Sequence, residues 1–174
     1  MDSGNIGFVL LCAAFVFVMT PGLAMFYGGL VRKKNVVNTM MTSIFIIGIG
    51  IVMWVLFGYS LSFAPSGNAF IGDFRWLGLE GVSLTEGYTD NASIPNMVFS
   101  AFQMMFAVIT PALITGAVAG RMKFKSIFVF TIFWSLIVYY PLAHMVWGQG
   151  GLLGADGIGA LDFAGGDVVH ISSG

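Results

Sequence analysis

Four long uncharged apolar segments constrain this 174-residue chain more than any other feature. They cover residues of about 6–31, 36–63, 94–120 and 127–147, and a fifth segment begins at about 163. A helix needs about 20 apolar residues to cross a hydrocarbon core about 30 Å thick, and each of the four is that long. Charged residues make up only 9% of the chain, against roughly a quarter in soluble domains. The sequence therefore predicts an all-α membrane protein, a polytopic helix bundle.

The charged residues predict how the bundle lies in the membrane. Two short loops hold six of the seven basic residues, namely Arg32, Lys33, Lys34, Arg121, Lys123 and Lys125. By the positive-inside rule both loops are cytoplasmic, which places the N-terminus outside. The acids then lie outside or at the outer ends of helices: Asp2, Asp73, Glu80, Glu86, Asp90, Asp156, Asp162 and Asp167. The first segment lacks a basic n-region and is about twice as long as a signal-peptide core, so we interpret it as a span.

Composition also excludes several classes of protein. The net charge is −1, so the chain offers no basic surface for nucleic acid. One cysteine and two histidines exclude a disulfide framework and most metal centres, and we expect no metal or other cofactor. No Asn-Pro-Ala motif of an aquaporin-like channel occurs, and no acid pair or nucleophile elbow indicates an enzyme.

His170 is the first residue that could carry chemistry. If the fifth helix begins at Asp162, His170 lies eight residues further on, about 12 Å into the membrane. An ionisable group at that depth is costly and indicates function. Imidazole donates and accepts hydrogen bonds and changes charge near neutral pH, which suits a proton relay or a contact in a narrow pore. The alternative is a histidine that hydrogen-bonds to a neighbouring helix for packing.

An aromatic pair on the third helix is predicted to lie at a similar depth. Phe102 and Phe106 are four residues apart and so share a helix face, with Gln103 beside them. Twelve residues separate Ile94 from Phe106, which is about 18 Å along a helix. From the residues alone, two such phenylalanines could equally face lipid or pack against another helix.

Two further residues lie near the predicted outer surface. Trp147 ends the fourth segment, where it is either an interfacial belt residue or a ring face for a small cation. Asp162 precedes a short run of small residues and resembles a helix N-cap, although its carboxylate could also keep the outer mouth electronegative. We expect His144, three residues before Trp147, to lie near the surface with a structural role.

These residues lie in stretches that resemble a known family. Residues Ala143–Gly148 and Leu161–His170 are similar to the signature of the Amt/Mep/Rh ammonium transporters. Pro21–Asn35 and Phe102–Ala107 are similar to the first and third helices of that family. The resemblance covers the whole chain and implies the first half of an inverted-repeat ammonium channel. The chain stops at Gly174, inside the fifth helix, so we expect it to be the N-terminal part of a longer protein.

The resemblance also implies roles for particular residues. Phe102 and Phe106 correspond to a stacked pore gate, and Trp147 with Phe106 corresponds to the outer ammonium-binding site. His170 corresponds to a pore-lining histidine, and Asp162 to a carboxylate that organises the vestibule. Ammonium would bind outside, leave its proton at the gate and cross as ammonia past His170.

The resemblance further implies a homotrimer in the cell membrane, in which each subunit has its own pore. The basic turn at Arg32–Lys34 could meet a PII-type regulator on the cytoplasmic face. A second function remains open at this point, because the same outer site would serve an ammonium-sensing membrane domain coupled to a cytoplasmic signalling module.

Overall fold

The computed structural model describes residues 1–65, 68–155 and 157–174. This part of the chain is helical and contains no strand, which confirms the predicted all-α class. The helices are α1 (Ser3–Leu30), α2 (Lys33–Phe63), α3 (Asn96–Val118), α4 (Phe124–Trp147) and the short α5 (Gly166–Ile171). The first four are each long and apolar enough to cross a membrane. Ser66 and Gly67, which follow the second apolar segment, and the acid Asp156 lie outside the described residues.

The four long helices run alternately up and down, so their ends form two faces of different charge. The Asp2 N–H donates to the Ser93 carbonyl at 2.9 Å, which places the start of α1 beside the start of α3. We call this end the acidic face, and its acids include Asp2, Asp73, Glu80, Glu86 and Asp90. The opposite end is the basic face, formed by the loops 31–35 and 119–123 with the start of α4.

Small residues allow α1, α2 and α3 to pack closely. The Tyr27 hydroxyl on α1 donates to the Leu113 carbonyl on α3 at 2.9 Å. A Cβ at Gly116 would lie 2.6 Å from the Tyr27 ring, and a Cβ at Gly50 would lie 3.0 Å from Val108. Glycine at these positions lets the helices approach, which is how helices associate where no hydrophobic effect drives them together.

Two of the four long helices contain a wide π-helical turn, at Trp54–Gly58 in α2 and at Ser135–Tyr139 in α4, and α5 is itself π-helical. The two helices meet at these turns, because a Cβ at Gly58 would lie 2.7 Å from the Tyr140 ring. Trp54 is fully buried there and donates from Nε1 to the Ser100 hydroxyl at 3.3 Å. The π turns therefore rotate large aromatic residues into the core, where a buried indole has found a partner.

The loop between α2 and α3 covers the acidic face with stacked aromatic rings. Tyr59 stacks on Trp76 with ring centroids 5.4 Å apart, and Tyr88 stacks on Phe99 at 4.8 Å. The Ser60 hydroxyl fixes the same loop, because it donates to the Asp73 carbonyl at 2.7 Å. This loop packs around the end of α4.

Candidate functional site

Three aromatic rings form a row at the acidic-face end of α3 and α4. Phe102 and Phe106 lie one turn apart on α3, with ring centroids 5.0 Å apart and planes at 83°. The Phe106 ring lies 6.4 Å from the Trp147 indole, at 66°. Both contacts are edge-to-face, the arrangement that aromatic quadrupoles favour. Phe106 is therefore the central ring and links the helical pair to the end of α4.

The end of α4 fixes the position of Trp147. The Gly148 N–H donates to the His144 carbonyl at 2.9 Å and ends the helix immediately after Trp147. The next residue, Gln149, donates from its backbone to the Tyr88 hydroxyl at 3.1 Å and from its side chain to the Tyr88 carbonyl at 2.9 Å. Burial raises the pKa of Tyr88 to about 12, so this phenol stays neutral at physiological pH.

His144 is fully buried, which corrects the expectation that it lies near the surface. Its Nδ1 lies 3.1 Å from the Ser62 carbonyl oxygen, and its Nε2 lies 2.9 Å from the Asn68 carbonyl oxygen. The ring thus connects α4 to the end of α2 and to the loop that follows it. The imidazole is polar, but it can be buried because both of its nitrogens have carbonyl partners.

Asp162 stabilises the start of α5 from a distance. Its Oδ2 accepts from the Asp167 N–H at 3.1 Å and from the Val168 N–H at 3.0 Å. Its Oδ1 is shielded from solvent and has no hydrogen-bond partner among the described residues. One carboxylate oxygen therefore caps the helix, while the other remains available as a buried acceptor.

The helix that carries His170 begins later than predicted. Gly165 has a φ of +79°, a left-handed conformation that glycine adopts readily, and α5 starts only at Gly166. His170 is therefore four residues into the helix instead of eight. Its side chain is exposed in the described chain and does not line the cavity at Trp147.

The other predicted site residues line a cavity of about 360 Å³. Its lining comprises Phe102, Gln103, Phe106, Trp147, Asp162, Phe163, Ala164 and Gly165. The structure thus brings Phe102, Phe106, Trp147 and Asp162 together and leaves His170 outside this group. No lysine, arginine or histidine lines the cavity.

Gln103 is a cavity residue whose contribution the sequence reasoning did not identify. Its Oε1 is buried without a hydrogen-bond partner among the described residues, as is Oδ1 of Asp162. The available signal was a neutral amide between Phe102 and Phe106 at membrane depth, where an unpaired polar group costs about 1–3 kcal/mol. Aromatic rings and two unpaired oxygen acceptors suit a small cation that carries N–H donors.

Across residues 1–65, 68–155 and 157–174, no group of three or more His, Cys, Asp or Glu side chains has metal-binding geometry.

Comparison with known proteins assigns a family to this fold. The sequence profile of the Ammonium Transporter Family matches residues 7–174. An ammonium transporter of Bacillus subtilis (strain 168) is 53% identical over 175 residues, which cover 100% of this chain and 42% of the relative. The crystal structure of Saccharomyces cerevisiae Mep2 superposes with a TM-score of 0.86 at 35% identity, over 99% of this chain and 38% of that one.

A solved structure described as a sensor Amt protein is also similar, with a TM-score of 0.79 at 28% identity. The match covers 95% of this chain and 40% of that protein. The chain thus spans about two fifths of the length of the relatives that it matches.

Proposed function

Because this chain belongs to the ammonium transporter family, we propose that it carries the entry half of a pathway that moves ammonium or ammonia across the membrane. The matched relatives are named as transporters and not as enzymes. Four apolar helices agree with a membrane location. The observation that carries the proposal is the cavity that Phe106, Trp147, Gln103 and Asp162 line together.

The cavity is the proposed binding site for the ammonium cation. A cation over the Trp147 ring gains about 2 kcal/mol or more once it is partly desolvated. Oδ1 of Asp162 and Oε1 of Gln103 lack partners and can accept two of the four N–H bonds of ammonium. Oxygen acceptors can also bind potassium, so discrimination would come from the gate, where ammonium can give up a proton and potassium cannot.

Phe102 and Phe106 are the proposed gate. Their edge-to-face rings form an apolar constriction beside the cavity, where a full charge costs several kcal/mol to desolvate. Ammonium would pass its proton to the neutral imidazole of His170 and continue as ammonia. His170 is proposed to line the path that follows, because a neutral imidazole accepts a proton at one nitrogen while it donates from the other.

The basic face is proposed to be cytoplasmic and the N-terminus to be outside, since Arg32–Lys34 and Arg121–Lys125 lie at one end of the bundle. We test this in a Cys12→Ser background with an impermeant thiol reagent. Asn91→Cys should react from outside, and Lys123→Cys should react only after the membrane is permeabilised. The opposite labelling would reverse the topology.

The proposed assembly is a homotrimer, with a PII-type regulator at the basic face. Both follow from the family and from the exposed basic loops. Crosslinking of the protein in membranes tests the trimer, and co-purification with a PII-type protein tests the regulator.

A second candidate function is ammonium sensing, which the similarity to the sensor Amt protein favours. Proteoliposomes that contain the protein at its full natural length distinguish the two functions. A transporter should give an ammonium-evoked current or pH change that saturates, and an equal potassium gradient should give none. Saturable ammonium binding without flux would support the sensor, and the absence of both would overturn the proposal.

A further inference from the structure

Three cationic side chains surround one cavity at the basic face. Arg32 and Lys34 follow the end of α1, and Arg121 follows the end of α3. The cavity has a volume of about 510 Å³ and lies between the two loops. Its remaining lining residues are Leu30, Val31, Asn35, Ala119 and Gly120.

These three charges have no counter-ion within the described chain. Over residues 1–65, 68–155 and 157–174 the one salt bridge is Asp73–Arg75, at the acidic face of the molecule. Like charges around a small cavity repel one another, and an anion placed between them removes that repulsion. The electrostatics thus favour a ligand with one or two negative charges.

The cavity has a defined shape because the two loops interlock. Gly120 has a φ of +71°, and a Cβ at this position would lie 2.7 Å from Nδ2 of Asn35. Glycine is therefore required twice over, by its left-handed backbone and by the close approach of the other loop. The contact brings the two loops together, so that Arg121 lines the same cavity as Arg32 and Lys34.

The position of the cavity indicates what kind of anion can reach it. Its walls include the residues that directly follow the last turns of two membrane-spanning helices, which is the depth of lipid head groups. Leu30 and Phe26 lie four residues apart on α1 and are 69% and 61% exposed. They form an apolar surface that leads from the cavity toward the membrane interior.

We propose that this cavity binds the phosphate group of an anionic phospholipid of the cytoplasmic leaflet. Arg32, Lys34 and Arg121 hold the phosphate, and an acyl chain lies along Phe26 and Leu30 of α1. The proposal goes beyond ammonium transport and does not depend on it. A dissolved phosphate ester shares the head-group chemistry but lacks the chain, so the two sources can be separated by experiment.

The test uses native mass spectrometry of the protein at its full natural length in a neutral detergent. The probes are phosphatidic acid, phosphatidylcholine with the same chains, and glycerol phosphate without chains. Phosphatidic acid should bind at least about tenfold more tightly than either of the others. Arg121→Gln and Arg32→Gln should each weaken that binding about tenfold, the effect of one lost hydrogen bond between charged groups.

Lys33→Gln is the matched control, because Lys33 lies in the same turn and does not line the cavity. It should leave lipid binding unchanged, and Arg121→Lys should retain most of it. Equal losses in Lys33→Gln and Arg121→Gln would overturn the proposal in favour of general surface charge. Glycerol phosphate that binds as tightly as the lipid would overturn it in favour of a soluble anion.

The remaining alternative is that the cavity at the basic face binds a protein. Loss of binding to a PII-type protein in Arg121→Gln, with phosphatidic acid binding intact, would assign the cavity to a regulator and overturn the lipid proposal. Ammonium flux measured on the same variants shows that they are folded. Absence of ammonium flux in the wild type would contradict the transport proposal and would leave the lipid-binding result unaffected.

Discussion

The cavity at the acidic face and helix α5 have opposite surroundings, although we propose that they serve one pathway. Phe102, Phe106 and Trp147 lie in contact with one another and are partly buried by this chain. On α5, Val168 is fully buried while His170 is exposed, and the preceding Phe163 is fully exposed. One region is thus assembled within the chain, whereas the other presents a side with nothing packed on it.

This difference separates what each region requires. The cavity needs only α3, α4 and the turn at Asp162, which short-range contacts hold together. A pore past His170 needs a second wall, and inverted-repeat transporters provide it from the other repeat. The cavity can therefore form within this chain, whereas a pore at His170 depends on residues that the other repeat would supply.

We expect the largest effect from replacing His170. His170→Leu removes the group that accepts and donates a proton, so ammonium-evoked current should fall by about 100-fold, the lower end for a proton-transfer residue. Some flux of neutral ammonia should remain. His170→Asp should admit potassium, because a carboxylate can solvate that ion. The measurement is current and potassium flux in proteoliposomes.

The control for that comparison is Ile171→Leu, which changes an exposed apolar neighbour on α5. It should transport like the wild type. Wild-type current and selectivity in both His170 variants would show that His170 does not line the pore.

Phe106→Ala should have the next largest effect. Phe106 contacts both Phe102 and Trp147, so its removal opens the constriction from two sides. We expect a potassium leak about tenfold above that of the wild type, since part of the several kcal/mol desolvation barrier is lost. Phe102→Ala, which removes an outer ring of the row, should leak less. Equal leaks in the two variants, or none, would contradict a gate centred on Phe106.

Two substitutions of Asp162 separate the effect of its negative charge from its role as a helix cap. Asp162→Asn keeps an oxygen that can cap α5 but removes the negative charge, so half-saturating ammonium should rise about threefold to tenfold with little change in thermal stability. Asp162→Ala should raise it similarly and also destabilise the protein by about 1 kcal/mol. A loss of stability in both variants with unchanged ammonium affinity would reduce Asp162 to a cap.

The smallest effect concerns the Asp73–Arg75 ion pair in the loop between α2 and α3. The hydrogen bond from Arg75 holds the pKa of the Asp73 carboxyl below its ordinary value. A lowered pKa means that the pair stabilises the fold above the ordinary pKa near 4 and that this stabilisation is lost as the pH falls. The effect is small because the pair is solvent-exposed.

A thermal-stability series from pH 7 to pH 3 checks this point. The difference between wild type and Asp73→Asn should disappear toward pH 3, whereas the exposed Asp90→Asn should lack that pattern. A difference that persists at pH 3 would exclude the ion pair as its cause.

Sequence reasoning predicted the parts of the molecule that depend on composition and helical spacing. The apolar segments gave the correct all-α membrane class, and four-residue spacing predicted that Phe102 and Phe106 share a face. The family was also predicted correctly from the stretches around His144 and Asp162. These features depend on residues that are near one another in sequence, which is why they could be read without a structure.

The features that sequence reasoning missed depend on backbone conformation or on distant partners. Left-handed Gly165 delays the start of α5, and no periodicity indicates the π turn at Trp54–Gly58. His144 is fully buried, and its ring nitrogens lie against the carbonyl oxygens of Ser62 and Asn68, which are distant in sequence. The unpaired Oε1 of Gln103 becomes visible only when the lining of the cavity is known.

The central claim is that a cation binds against the Trp147 ring, and the ammonium concentration that gives half-maximal current tests it most directly. The protein at its full natural length is compared with Trp147→Leu and with Trp134→Leu, a control on α4 that does not line the cavity. We predict that Trp147→Leu raises this concentration about tenfold to thirtyfold, as expected for a lost cation–π contact of about 2 kcal/mol, and that Trp134→Leu leaves it unchanged. Equal concentrations in the wild type and Trp147→Leu, with both proteins correctly inserted, would contradict the account.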